Sequence, residues 1–226
     1  MTSAAMLKKI PLFSGLSEAE LDLLADATSR RAFARGMIIF HKDSPGQTLY
    51  IIESGKVRIF ILSESGQEIS INVYGPGEVF GEMALLDSLP RSAGAVVLED
   101  AVTLTLHRDD FLRLIREHPE MAMSIMKVLS RRVRYVTMYA ESLAFLDVFG
   151  RVAAKLVELA DRYGVEGEGV EIALRLTQGE LASWIGASRE SVNKVLGAFR
   201  DQGLIDLEGQ RITILDRREL KKRITY

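Results

Sequence analysis

The sequence predicts an α+β chain: a β-rich first half, one long helix, and a small helical unit that ends in a β-hairpin. Three observations predict it. From about residue 30 to residue 107, short apolar runs alternate with turn glycines. Beyond Pro119, no glycine or proline interrupts a helical pattern until about Leu146. After Asp147 the apolar period is that of short helices, and Glu208-Gly209-Gln210 separates two last β-type runs.

Taken in order, Ser17-Glu18-Ala19-Glu20 has the form of a capping box, and Leu21, Leu24 and Ala25 follow on one face of a short helix. The β-type runs cover residues 37–40, 48–53, 56–62, 68–74, 93–98 and 102–107. Gly36, Gly46, Gly55, Gly66, Gly75 and Gly77 punctuate them, as an antiparallel sandwich or barrel requires. In Ile69-Ser70-Ile71-Asn72-Val73 the alternation is strict, which predicts one buried and one wet face. Asp109 or Asp110 suits the cap of a helix ending at His118, and Pro119 suits the first turn of the next. Met126, Leu129, Val133, Val136, Ala140 and Leu143 then form a heptad seam, with Arg131, Arg132 and Arg134 off it. Such a stripe packs either on its own β unit or on a second copy of the helix; its length favours the parallel homodimer.

Asp147 caps a helix carrying Val152, Leu156, Leu159 and Ala160 and closed by Gly164, after which residues 165–169 read as a surface loop. Thr177-Gln178-Gly179-Glu180 caps a helix whose inner face is Leu181, Trp184 and Ile185. Ser188 caps a second helix with Val192, Val195, Leu196 and Phe199 on its buried stripe, and residues 204–206 and 211–215 form a hairpin or wing. The expected division is residues 1–118, 119–146 and 147–226.

Composition excludes several classes. Lys+Arg total 29 against Asp+Glu 31, a net charge of −2, so the chain is no polycation that coats nucleic acid or lipid. Residues 147–226 hold 13 of each sign, with positive groups placed at Arg189, Lys194 and the tail Arg217-Arg218 to Lys221-Lys222-Arg223. There is no cysteine, hence no disulfide, thiolate zinc site or iron–sulfur cluster, and His41, His107 and His118 have no metal-ligand spacing. No apolar run approaches a membrane span, and MTSAAMLKK lacks the apolar core of a signal peptide. The expectation is a soluble cytoplasmic protein with no membrane partner and no metal. No paired carboxylates and no nucleophile–base set stand out, so no catalytic residue and no enzyme is expected.

Two constellations carry chemistry. In the first, Gly81 allows close approach of the backbone, and a helix start at Glu82, Met83 and Ala84 points N–H groups at an anion. Arg91 adds a fork for two phosphate oxygens, and the Ser92 hydroxyl donates a further bond. Glu82 is the acceptor a ribose hydroxyl requires; the plain alternative is a loop ion pair between Glu82 and Arg91. The second is a helix-turn-helix, whose second helix offers its N-terminal residues to the major groove of double-stranded DNA. Arg189 suits guanine O6 and N7, Glu190 a cytosine amine, and Lys194 a guanine, a thymine O4 or a phosphate. Thr177, Gln178 and Ser188 suit phosphate contacts that fix register. The plain alternative is an ordinary charged first turn.

Both constellations resemble known ones. Gly81-Glu82, a short helical stretch and Pro90-Arg91-Ser92-Ala93 resemble the phosphate-binding cassette of cyclic-nucleotide-binding domains, and the stretch Ile10-Pro11-Leu12-Phe13-Ser14-Gly15-Leu16 resembles their entry segment. Leu143-Ala144-Phe145-Leu146-Asp147-Val148, Gly150-Arg151 and Gly186-Ala187-Ser188-Arg189-Glu190-Ser191-Val192 resemble the cyclic AMP receptor protein (Crp–Fnr) family of bacterial transcription regulators, in matching order over nearly the whole chain. The resemblance implies a jelly-roll β-barrel, a long dimerisation helix and a winged helix-turn-helix. It also implies Arg91 and Ser92 on a cyclic phosphate, Glu82 on the ribose 2′-hydroxyl, and cyclic AMP ahead of cyclic GMP as effector. Members that bind cyclic AMP place two adjacent hydroxyl residues against the base; Val136-Thr137 keeps one, Thr137. The missing cysteines depart from the Fnr branch and exclude its cluster-based oxygen sensing, and no Cys or suitable His stands in the central strands for haem. Lys194 replaces a more usual arginine, which loosens base choice there. Implied partners are DNA, a second copy and RNA polymerase; two-fold symmetry predicts a palindromic target, and Arg189 with Glu190 a GTG-like core in each half-site. The alternative is a regulator of this kind with a vestigial cassette, binding DNA constitutively or sensing another effector.

Overall fold

A computed structural model describes residues 3–13, 15–63, 66 and 68–224; of the entry segment, Ser14 lies outside them. The chain forms two compact units, Met1–Gly66 with Ser70–Val133, and Gln67–Ile69 with Arg134–Tyr226.

The first unit begins with α1 (Ser3–Leu7), a 3-10 turn (Pro11–Phe13) and α2 (Glu18–Asp26). Ser17 caps α2 as expected: its Oγ accepts from Glu20 N, and Glu20 Oε2 accepts from Ser17 N at 2.7 Å. The strands are β1 (Thr28–Phe33), β2 (Ile38–Phe40), β3 (Thr48–Leu62), β4 (Glu68–Tyr74), β5 (Val79–Phe80) and β6 (Gly94–His107). They form one sheet in the order β1-β6-β3-β4, with β2 on β6 and β5 on β3. This is the expected jelly-roll type, open at its edges rather than closed into a barrel. Two pairs of expected runs are single strands, because Gly55 makes a bulge instead of a turn. The β3–β6 register shifts on either side of it, and the chain bends without leaving the ladder. Gly55 has φ +81°, and a Cβ there would collide with the backbone of Asp100 and Ala101. β1 lies outside the expected runs, since its mostly exposed TSRRAF has no apolar alternation; the β6 ladder from Thr28↔Leu106 to Phe33↔Ala101 holds it, with the Arg30–Glu53 bond and Phe33 against Tyr50.

Alternation along β3 separates two cores. Leu49 and Ile51 point into one with Leu7, Phe13, Leu21 and Leu24, and with Phe111 and Leu114 of α4 (Arg108–Glu117). Tyr50 and Ile52 point into the other with Val57, Tyr74, Phe80, Ala95 and Val97. His107, not an aspartate, stands at the N-cap of α4. Helix α5 (Pro119–Phe145) starts on Pro119, whose fixed φ and missing N–H suit that position. Met121 and Ile125 are buried in the helical core, with Leu129 packed against it.

In the second unit, Asp147 Oδ1 accepts from Gly150 N at 2.8 Å and caps α6 (Val148–Tyr163). Then come β7 (Gly164–Glu166), β8 (Val170–Ile172), α7 (Gln178–Ile185), α8 (Arg189–Asp201), β9 (Ile205–Glu208), β10 (Arg211–Ile214) and α9 (Arg217–Lys222). The stretch expected as a loop is the β7–β8 hairpin, which extends the wing into a sheet ordered β7-β8-β10-β9. The basic tail is a helix capped by Asp216, with Leu220 fully buried. Among the described residues, no helix is long and apolar enough to cross a membrane.

Candidate functional site

The glycine after β5, Gly81, has φ +85°. A Cβ there would lie 2.6 Å from Arg91 Nη1, so no other residue leaves the guanidinium its place. Arg91 is 4% exposed. Its Nη1 donates to Gly81 O at 2.6 Å and its Nη2 to Thr48 O at 2.7 Å. The guanidinium lies 4.3 Å from the centroid of Phe40, within an aromatic group in which Tyr50 and Phe80 stack at 5.0 Å. Burial pulls its pKa down while Tyr50 and Glu82 raise it, and a guanidinium stays charged under either influence. Nε is buried without a partner among the described residues.

Glu82 is 3% exposed and precedes α3 (Met83–Asp87) without capping it, so the first N–H groups of that helix have no side-chain acceptor. Its Oε1 accepts from Arg132 Nη1, and its Oε2 is buried with no partner among the described residues. Glu82 is therefore paired, and the partner is Arg132 rather than the Arg91 of the plain sequence alternative. Arg132 also donates to Val79 O at 2.6 Å and lies over the Tyr74 ring. Sequence reasoning missed it as a site residue. A signal was present: Arg132 continues the 4, 4, 3 spacing of Met121, Ile125 and Leu129, the face turned to the core, where an unpaired arginine is costly.

Met83 and Ser92 are exposed beside this group, Ser92 Oγ lying 3.7 Å from Met83 Sδ, while Ala84 is buried. The far end of α3 is held by Arg108, which donates to Leu85 O at 3.1 Å and to Ser88 Oγ at 2.7 Å. Gly81, Glu82, Met83, Ala84, Arg91 and Ser92 thus come together; Thr137 stands exposed on the part of α5 that belongs to the second unit. The unmatched atoms are a buried cationic N–H and a buried carboxylate oxygen. These are what a ligand carrying both an anion and a hydroxyl would satisfy.

In the second unit, α7 and α8 form the expected helix-turn-helix. Gly186 (φ +66°) ends the first, and Ser188 Oγ accepts from Ser191 N at 3.1 Å to start the second. Leu181, Trp184, Ile185, Val192, Val195, Leu196 and Phe199 are buried, while Gln178, Arg189, Glu190 and Lys194 are exposed. Thr177 and Ser188 hold cap positions. The Thr177 hydroxyl bonds Glu180 and that of Ser188 bonds Ser191, so both hydroxyls are engaged within their own caps. No metal-binding group of His, Asp or Glu occurs among the described residues.

Two segments of the chain match known families. Residues 30–118 match the cyclic nucleotide-binding domain and residues 150–223 the Crp-like helix-turn-helix domain. The chain is 36% identical over 219 residues to the CRP-like cAMP-activated global transcriptional regulator of Mycobacterium tuberculosis, covering 96% of this chain and 98% of that one. It is 40% identical over 201 residues to the cyclic AMP receptor protein of Thermus thermophilus, covering 89% and 90%. The solved c-di-GMP responsive global regulator CLP of Xanthomonas campestris superposes with a TM-score of 0.79 at 26% identity, over 88% of this chain and 99% of that one. A cyclic-nucleotide-binding domain followed by a helix-turn-helix defines a DNA-binding transcription regulator, not an enzyme. The chain belongs to the Crp/Fnr family.

Removing the cation from the Glu82–Arg132 pair strands a buried carboxylate. Arg132→Met is expected to lower the stability of the first unit by about 3 kcal/mol, measured by urea unfolding followed by circular dichroism. Adding Glu82→Gln should restore most of it; a double variant no better than the single contradicts the pairing.

Proposed function

We propose that this chain is a homodimeric, cytoplasmic transcription regulator whose DNA binding is controlled by a cyclic nucleotide, cyclic AMP in the first place and cyclic GMP in the second. The observation that carries the effector is the coincidence of two buried, unmatched atoms, Arg91 Nε and Glu82 Oε2, beside the uncapped start of α3. Arg91, Ser92 and the backbone of Gly81, Met83 and Ala84 hold the phosphate, Glu82 the 2′-hydroxyl, and Thr137 the base. The nucleotide supplies the anion and hydroxyl that these groups lack. The names of the Mycobacterium tuberculosis and Thermus thermophilus relatives support cyclic AMP.

The dimer rests on the bare seam. Met121, Ile125 and Leu129 serve the chain's own core, leaving Met126, Val133, Val136 and Leu143 exposed, Val133 by 65%. A parallel partner helix covers them. Two-fold symmetry then requires a palindrome with half-sites about 34 Å apart. Arg189 and Glu190 suit a GTG-like core, and Thr177, Gln178, Ser188 and Lys194 fix register or add a further base contact. RNA polymerase is the partner of a regulator at a promoter. The domain division 1–118, 119–146 and 147–226 follows these roles.

One observation favours a second reading. Both Nη atoms of Arg91 are bonded to backbone carbonyls and Glu82 is already held by Arg132, so the cassette is fastened by the chain alone. A vestigial cassette with constitutive DNA binding, or another effector such as the c-di-GMP to which the Xanthomonas regulator responds, fits that.

Calorimetric titration with cyclic AMP and cyclic GMP, paired with a gel shift on a palindromic probe, separates the readings. Arg91→Lys keeps the charge and loses the fork; it should weaken nucleotide binding about 100-fold, equivalent to roughly 2.7 kcal/mol, and unchanged affinity overturns the assignment. Glu190→Ala should relax choice at one base pair by about 1–3 kcal/mol, seen by comparing single-base probe variants; uniform weakening on all probes speaks against base reading. Sedimentation at micromolar concentration should give a dimer, and a monomer removes the role of the seam.

A further inference from the structure

The second unit buries a charged side chain that neither the cassette nor the DNA-reading residues use. Lys155, on α6, is 8% exposed. Its Nζ donates to Tyr135 Oη at 2.9 Å and to Glu158 Oε2 at 2.6 Å. It lies 5.4 Å from the centroid of the Tyr135 ring and 5.3 Å from that of Trp184. Tyr135 belongs to α5, Glu158 to α6 and Trp184 to α7, so one ammonium joins three helices. Burial pulls its pKa down, but Glu158 and the Tyr135 hydroxyl outweigh it and hold the group above the ordinary lysine value. A buried ammonium keeps its partners in register, because displacing them leaves a charge with neither water nor counter-charge.

The surrounding contacts lead to the DNA-reading helix. Tyr139, one turn beyond Tyr135 on α5, has its hydroxyl buried without a partner among the described residues, and the indole N–H of Trp184 is likewise buried without one. Tyr139 Oη and Leu143 Cδ2 press on the turn that precedes α8: a Cβ on Gly186 would lie 3.3 and 3.2 Å from them. Unmatched buried polar atoms are rare in a settled arrangement, and their place here suits a contact with two alternative settings. In sequence, Tyr135 follows Arg132, the partner of Glu82, by one helical turn.

We propose that Lys155 is a positioning residue through which the long helix α5 sets the helix-turn-helix, its ammonium carrying a displacement of Tyr135 to Trp184. The inference rests on the reading of the chain as a nucleotide-controlled DNA binder.

Trp184 is the only tryptophan, so its emission reports this contact alone. In the unmodified full chain, cyclic AMP should change that emission and raise affinity for a palindromic probe. Lys155→Met should bind cyclic AMP with unchanged affinity by calorimetry, lose the emission response, and show the gain in DNA affinity reduced by about tenfold. Tyr135→Phe, which deletes only the hydroxyl, should act in the same direction, and Lys155→Arg should restore most of the gain. Variants with an unaltered gain and an unaltered emission response overturn the proposal. If Lys155→Met fails to fold, Tyr135→Phe decides by the same two readouts. If the unmodified chain answers neither cyclic AMP nor cyclic GMP, the effector reading fails separately. The positioning role then stands if either variant changes basal DNA affinity and falls if neither does.

Discussion

Burying the Arg91 guanidinium is the constraint on which the cassette depends. Taking such a charge out of water costs several kcal/mol unless acceptors replace the water. Here they are the carbonyls of Thr48 and Gly81, with Phe40 and Tyr50 beneath the guanidinium plane. The β3–β5 pairing, Tyr50↔Phe80 and Ile51↔Val79, sets the distance between the two acceptors. A slip of one residue would turn Tyr50 out of the aromatic core and move Thr48 O away. The loop before β3 completes the grip, with Arg91 N donating to Ser44 O and Asp43 N to Arg91 O. Sheet register, the missing Cβ of Gly81 and the arginine therefore require one another.

The same device recurs along α5. Apolar contact is non-directional and lets a helix slide or roll, whereas a charge-assisted hydrogen bond fixes distance and angle. Arg132 pins α5 to Glu82 in one unit, and Tyr135 receives Lys155 in the other. The even count of charges, puzzling for a DNA-binding protein, makes sense in that light. Some cations serve internal geometry, while Arg189 and Lys194 stand exposed on the first turns of α8.

Features set by neighbouring residues were legible in the sequence. The caps at Ser17, Asp147, Thr177 and Ser188 need only a side chain and an N–H three residues on, and all four form. The α7–α8 pair was legible for the same reason, and the Gly81–Ser92 cassette by its resemblance to a known one. What escaped was set by distant partners. The pairing of Glu82 with Arg132 spans 50 residues. β1 exists because β6 offers it a backbone ladder, and β7 because β8 and β10 extend a sheet that no local apolar run announces. Gly55 looked like a turn because a glycine with positive φ serves a bulge equally well, and the choice lies with β6.

The long β3–β6 ladder bears on how the polypeptide is made. Thr48 pairs with His107 and Phe60 with Gly94, and residues of β3 feed both cores. The core of Tyr50 and Ile52 is incomplete until Ala101 is made and that of Leu49 and Ile51 until Ile125, so the nascent first half waits with apolar runs uncovered. The second half also needs a distant pairing, Val170 with Ile214, but it closes over a shorter stretch of chain than Thr48 with His107. The pairing that spans the most chain therefore lies in the half that is synthesised earlier.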